Sequence, residues 1–90
     1  IWLGTGHLPD VTLAKPIFRD GKLVAFSATT AHVPDIGGKI RSPEPREVFE
    51  EGLQIPPMKM IAAGRTDETL VGIIRKNVRT PDQTMGDLYA

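Results

Sequence analysis

The sequence predicts an α+β fold with a β-hairpin at about residues 11–30, a long Pro/Gly loop and two C-terminal helices at about residues 67–78 and 81–90. Three observations predict it. Two apolar segments flank an Asp-Gly pair, proline and glycine dominate the middle of the chain, and apolar residues recur at helical spacing near the end.

The hairpin is predicted from two segments of strand composition and the turn between them. Residues 11–18 alternate moderately in polarity, and residues 22–30 are rich in β-branched and aromatic side chains. Between them stands Asp20-Gly21, and Asp-Gly between two apolar segments is a strong signal for a two-residue hairpin turn.

The middle of the chain is predicted to lack long regular elements. Residues 36–46 should be irregular and exposed, because glycine and proline there disfavour both strands and helices. Residues 47–51 are compatible with one helical turn or an edge strand, and the pair Pro56-Pro57 excludes a helix interior or a central strand.

The two helices are predicted from their start signals and their apolar spacing. Asp67 lies in a good helix entry, and Thr80 is a candidate N-cap with Pro81 at the first helical position. Gln83 would complete a capping box with Thr80. We expect both helices to bury their apolar faces against sequence outside these 90 residues.

Composition limits the classes of function. Eleven basic residues balance eleven acidic ones, whereas binding to nucleic acid or to an anionic membrane favours a basic excess. The absence of cysteine excludes a thiol nucleophile and thiolate metal sites, and it favours a reducing, cytoplasmic location. The chain begins without Met, so we predict that residues 1–90 are a single partial domain of a larger mixed α/β subunit.

Both histidines of the chain occur in the same four-residue pattern. The tetrapeptides His7-Leu8-Pro9-Asp10 and His32-Val33-Pro34-Asp35 flank the predicted hairpin. A regular ladder around the Asp-Gly turn puts Pro9 opposite His32 and Asp10 opposite Ala31, so the two motifs meet at the open end. That ladder places Asp10 and His32 on opposite faces of the hairpin. Pro9 and Pro34 have no N–H to donate, so they interrupt the pairing and allow the backbone to turn these side chains in another direction.

Imidazole nitrogens and carboxylate oxygens together suit Mn, Fe or Zn ions. The alternative interpretation is that the two motifs are turns that close the hairpin. The pair Glu50-Glu51 is compatible with a general base or a further ligand, or with a solvated acidic pair. Gly37-Gly38 permits a close backbone approach to a ligand, or is simply a turn.

Three segments together resemble the hydantoinase B/oxoprolinase family. They are HLPDVTLAKPIFRDGKLVAFSATTAHVPDIGG at residues 7–38, EVFEEGLQIPPMKM at residues 47–60 and IIRKNVRTPDQTMGDLYA at residues 73–90. The family includes B-type subunits of N-methylhydantoinase, the corresponding half of 5-oxoprolinase, and acetone and acetophenone carboxylase subunits. One departure is Val33, which stands where many relatives have a second histidine.

The resemblance implies ATP-dependent hydrolysis of a cyclic amide, in an oligomer with an A-type partner subunit that binds ATP and Mg. It implies a Mn, Zn or Fe ion held by His7, Asp10 and His32, with Asp35 as a fourth ligand or as an outer partner of an imidazole. One alternative is a subunit of an acetone- or acetophenone-type carboxylase. Another is a non-catalytic structural or interface module, in which His7 and His32 close a hairpin.

Overall fold

The computed structural model describes residues 6–39 and 42–90. Within these residues, two antiparallel hairpins, one 3₁₀ turn and two C-terminal helices form an α+β arrangement, which confirms the predicted fold class. In chain order the elements are β1 Asp10–Arg19, β2 Lys22–His32, the 3₁₀ turn Val48–Glu50, β3 Ile61–Ala62, β4 Arg65–Thr66, α1 Glu68–Asn77 and α2 Pro81–Tyr89.

The turn of the first hairpin is the predicted one. Asp20 has a φ of 49° and Gly21 a φ of 74°, so both turn residues adopt the left-handed conformation that a type I′ turn requires. Arg19 pairs with Lys22 directly across this turn. The Asp-Gly signal therefore identified both the turn and the residues that flank it.

The register of the hairpin differs from the regular ladder. Phe18 pairs with Leu23, but Ile17 pairs with Ala25, so Val24 is an extra residue in β2. Such a β-bulge shifts every later pair by one position. The predicted pairing of Asp10 with Ala31 and of Pro9 with His32 is therefore wrong, and Asp10 instead pairs with His32.

A second, much smaller hairpin was not predicted. β3 and β4 contribute two residues each, and Ala63 and Gly64 form the turn with φ values of 51° and 75°. Two-residue strands are too short to show a period of two, so the sequence carries little signal for them.

Both predicted helices are present, and their starts differ in detail. The side chain of Asp67 accepts a hydrogen bond from Leu70 N at 2.9 Å, so it caps α1 as expected. Thr80 occupies the N-cap position of α2 with Pro81 in the first turn, but its side chain makes no capping hydrogen bond. The predicted capping box between Thr80 and Gln83 therefore lacks the hydrogen bond that the Thr80 hydroxyl would accept from a backbone N–H.

The core lies between the two helices and the segment that follows β2. Two predictions are therefore wrong. The helices bury their apolar faces within this chain, and Ile36, which was expected to be exposed, is only 1% exposed. Burying a side chain of that size stabilises a fold by roughly 1.5–3 kcal/mol. The buried apolar residues are Val33, Ile36, Leu70, Val71, Ile74, Val78, Met85 and Leu88. The predicted irregular segment 36–46 includes residues 40 and 41, which lie outside the described residues.

The far end of the first hairpin stands clear of this core. Phe18 is 61% exposed and Phe26 is 63% exposed, whereas Val11 and Leu13, near the open end, pack against the core. The core therefore fixes the end of the hairpin that carries the two histidine motifs. Among the described helices, none is long and apolar enough to cross a bilayer.

Candidate functional site

The two histidine motifs lie side by side, as the sequence predicted. In the first, Asp10 N donates to His7 O at 3.2 Å and closes a turn around the buried Pro9. Val33 N of the second motif donates to Pro9 O at 2.7 Å. That hydrogen bond continues the shifted register beyond the last strand pair and ties the two motifs together.

The bulged register brings Asp10 and His32 into direct contact. Asp10 Oδ1 lies 2.8 Å from His32 Nδ1, and the two side chains are 25% and 35% exposed. An ionised carboxylate accepts hydrogen bonds only, so Nδ1 is the donor and Nε2 is left as the acceptor nitrogen of the neutral ring. The hydrogen bond therefore fixes the tautomer and the orientation of the imidazole.

A cavity of about 370 Å³ opens beside this pair. It contains three of the four residues predicted to bind a metal, namely His7, Asp10 and His32. The full lining is His7, Pro9, Asp10, His32, Lys39, Ser42, Pro45 and Glu51.

A second cavity of about 300 Å³ shares His7 and Asp10 with the first. Its remaining lining is mainly apolar and includes Leu53, Ile55 and Met60. His7 and Asp10 therefore line both a cavity of mainly polar residues and a cavity of mainly apolar residues, which is an arrangement suited to a small ligand with a polar group on a hydrocarbon body.

The fourth predicted residue, Asp35, faces a different partner. Its Oδ2 accepts a hydrogen bond from Arg79 Nε at 3.1 Å, and Asp35 is not part of either cavity lining. Asp35 has a φ of 53°, a left-handed conformation that Asp tolerates better than most residues. The contact links the turn after β2 to the segment between α1 and α2.

Glu51 is a residue of the cavity that the sequence did not single out from its neighbour. Its Oε2 is buried, and within the described part of the chain it has no hydrogen-bond partner. Glu50 behaves differently, because it is exposed and its Oε2 accepts a hydrogen bond from Arg46 N at 2.7 Å. The interpretation of a solvated acidic pair therefore fits Glu50, whereas Glu51 is half-buried with one carboxylate oxygen enclosed.

A close backbone contact positions Glu51. A Cβ built on Gly38 would lie 2.4 Å from Glu51 C and 2.4 Å from Gly52 N, so only glycine fits there. Lys39 N donates to Glu50 O at 2.9 Å on one side, and Leu53 N donates to Ile36 O at 2.9 Å on the other. The Gly37-Gly38 pair therefore allows a close backbone approach, and the segment that approaches it is Glu51-Gly52 of the same chain.

The donor chemistry of the polar cavity suits a divalent cation, since it offers two imidazoles and two carboxylates. Glu51 Oε2 is a further acceptor in this cavity that a cation or a proton donor would satisfy, because an orphaned buried acceptor is costly. Among residues 6–39 and 42–90, no three His, Asp or Glu side chains already stand at mutual ligand positions. The metal site remains a prediction from chemistry and placement.

Comparison with known proteins decides the family. Residues 1–90 match the family model described as Hydantoinase B/oxoprolinase. The chain belongs to the hydantoinase B/oxoprolinase family. This confirms the resemblance found in the three sequence segments.

Named relatives and a solved structure agree with the hydantoinase B/oxoprolinase assignment. The chain is 36% identical over 87 residues to the beta subunit of the caprolactamase of Pseudomonas jessenii, covering 93% of this chain and 15% of that protein. It is 34% identical over 91 residues to the B subunit of a putative D-/L-hydantoinase of Pseudomonas sp. strain NS671, covering 97% of this chain and 15% of that protein. The crystal structure of the ATP-dependent caprolactamase from Pseudomonas jessenii superimposes with a TM-score of 0.81 at 34% identity, covering 93% of this chain and 15% of that chain.

The chain spans about 15% of the length of these relatives. It therefore matches one segment of each of these longer proteins. Val33 of the second histidine motif is 4% exposed in the core. A histidine at that position would place a polar ring among apolar side chains, so Val33 suits the packing of this chain.

Proposed function

We propose that this chain is a segment of the B-type subunit of an ATP-dependent hydrolase of cyclic amides, and that it contributes a divalent-cation site. The observation that carries the proposal is the Asp10–His32 hydrogen bond inside a cavity that His7 also lines. A carboxylate that orients an imidazole is the usual outer support of a histidine metal ligand.

In this proposal His7 and His32 would hold a Mn, Zn or Fe ion, with His32 using Nε2. Asp10 would serve as a ligand through its second oxygen or as the support that fixes the ring of His32. When bound, such an ion polarises a carbonyl oxygen or activates water. We assign no metal contact to Asp35, because its carboxylate contacts Arg79 and the residue lies outside both cavity linings.

The two adjoining cavities support a cyclic amide as substrate. The polar cavity offers donors and acceptors for the amide group, and the apolar cavity lined by Leu53, Ile55 and Met60 offers room for ring methylenes. The names of the relatives, caprolactamase and hydantoinase, favour hydrolysis over the alternative of ketone carboxylation.

We further propose that ATP and Mg bind to an A-type partner subunit. The sequence contains no G-x-x-x-x-G-K-[ST] phosphate loop. One relative is named as a beta subunit and another as a B subunit, which indicates that each of those proteins works with a second subunit. A cysteine-free chain suits the cytoplasm, where we place this assembly.

The test is the metal content of the natural gene product that carries this segment, measured by elemental mass spectrometry. We expect near-stoichiometric Mn, Zn or Fe in the unmodified protein and its loss in a His7→Ala, His32→Ala double variant. A Lys15→Ala, Lys22→Ala double variant on the exposed hairpin is the matched control and should keep the metal. A folded, metal-free protein purified without chelator contradicts the proposal and leaves the structural or interface module as the better interpretation.

A further inference from the structure

The proposed function assigns His7, Asp10 and His32 to the cation and gives no role to Glu51, a half-buried residue with one buried carboxylate oxygen. Oε2 of Glu51 is buried without a hydrogen-bond partner among the described residues, while it lines the same cavity as His7, Asp10 and His32. A buried acceptor that is left without a donor destabilises the fold. Such a group is retained most readily where a ligand supplies the missing donor.

The position of Glu51 is built into the fold. The close approach of Gly38 to Glu51 and Gly52 holds the backbone on both sides of the carboxylate. The hydrogen bonds from Lys39 N to Glu50 O and from Leu53 N to Ile36 O bracket that contact. Ile36 anchors the whole arrangement in the core, where it is 1% exposed. Glu51 is thus held by the segment that directly follows the second histidine motif.

The other ionisable side chains of the cavity are already engaged. His7, Asp10 and His32 are assigned to the cation in the proposed function. The ammonium of Lys39 is 2.8 Å from Glu44 Oε2, and a protonated amine accepts no proton. Hydrolysis of an amide nevertheless requires that the attacking water lose a proton. Glu51 is the carboxylate of the described cavity lining that remains for this task.

We propose that Glu51 is the general base of the hydrolysis, a role that rests on the proposed function. Water adds to the carbonyl carbon of the cyclic amide, an oxygen–carbon bond forms, and the proton of the water passes to the Glu51 carboxylate. The carbon–nitrogen bond of the ring then breaks, and Glu51 returns the proton to the departing nitrogen. This step consumes one water and leaves Glu51 ionised, and its only co-reactant is the ATP that the proposed function assigns to the partner subunit.

The test compares Glu51→Gln with the unmodified protein in the natural gene product, co-purified with its partner subunit and supplied with ATP. Caprolactam, hydantoin and 5-oxoproline are the substrates. We expect kcat on the accepted substrate to fall by about 10²–10⁴-fold, with an unchanged KM and an unchanged metal content. Glu51→Asp, which keeps a carboxylate one methylene shorter, should recover part of the rate.

The matched control is Glu47→Gln, because Glu47 is an exposed glutamate four residues earlier whose side chain caps nothing. It should leave kcat and metal content unchanged. A Glu51→Gln protein that hydrolyses at the unmodified rate overturns the general-base role and leaves the proposed function intact. A Glu51→Gln protein that loses its metal together with its rate also overturns that role, since Glu51 would then hold the cation. If the unmodified protein binds metal and hydrolyses none of the three amides, the proposed hydrolysis and the general-base role both fail, while the cation site stands.

Discussion

Asp10 and His32 are direct cross-strand partners, and their Oδ1 and Nδ1 atoms lie 2.8 Å apart at the open end of the hairpin. The pairing exists because Val24 is an extra residue in β2. A regular ladder from the same turn would alternate the faces and separate the two side chains. One bulge near the turn therefore determines the chemistry at the other end of both strands.

Replacing Asp10 with Asn should affect the site more than the fold. The pair is partly exposed, so its loss should cost about 0.2–1 kcal/mol in the local opening free energy. Metal affinity should fall by about 10–100-fold, the usual effect of removing a carboxylate that supports a histidine ligand. Metal titration and hydrogen-exchange mass spectrometry of the hairpin measure the two quantities.

Thr12→Val is the matched control for the Asp10 variant. Thr12 and Thr30 form the next pair on the same face, and their hydroxyl oxygens lie 3.0 Å apart. The control removes a comparable cross-strand hydrogen bond, so it should alter hydrogen exchange and leave metal affinity unchanged. Equal losses of affinity in the two variants would show that Asp10 acts on the hairpin and has no specific role at His32.

The bulge itself can be tested by changing the length of β2. Deleting Val24 gives a regular ladder that keeps Asp10 opposite His32, because Val24 has no partner. Inserting one alanine between Val24 and Ala25 instead moves His32 by one position, which turns its side chain to the other face. We expect the deletion to retain metal and the insertion to lose it. Retention in both would mean that the strands absorb the added residue in a larger bulge.

The sequence predicted the elements whose signals are local. Asp20-Gly21 identified the hairpin turn, and Asp67 identified the start of α1, because a turn and a cap each depend on residues within a few positions. The bulge at Val24 and the burial of one carboxylate oxygen of Glu51 were not predicted. Both depend on contacts between segments that are distant in the sequence. The close approach of Gly38 to Glu51, for example, joins residues that are too far apart for a helical or strand period to connect them.

Gly38→Ala tests the backbone contact that holds Glu51. The added Cβ meets Glu51 C and Gly52 N at 2.4 Å, and the φ of 61° disfavours any Cβ, so we expect the local opening free energy to fall by at least about 1–3 kcal/mol. Faster amide exchange at Lys39 and Leu53 is the measurement. Gly72→Ala is the control: its Cβ meets nothing within 4 Å in α1, and it should stabilise that helix by about 0.5–1 kcal/mol. Unchanged exchange in Gly38→Ala would show that the contact is loose in solution.

Asp35→Asn decides the role of the fourth predicted residue. Asp35 and Arg79 are 52% and 78% exposed, and their ion pair lies outside both cavity linings. Loss of an exposed pair should cost at most about 1 kcal/mol, and we expect metal content and kcat to stay unchanged. Arg79→Ala is the matched variant, because it breaks the same contact without touching a carboxylate. Loss of metal in Asp35→Asn but not in Arg79→Ala would place Asp35 among the ligands after a rearrangement of its turn. Loss in both would instead show that the Asp35–Arg79 contact positions the second histidine motif.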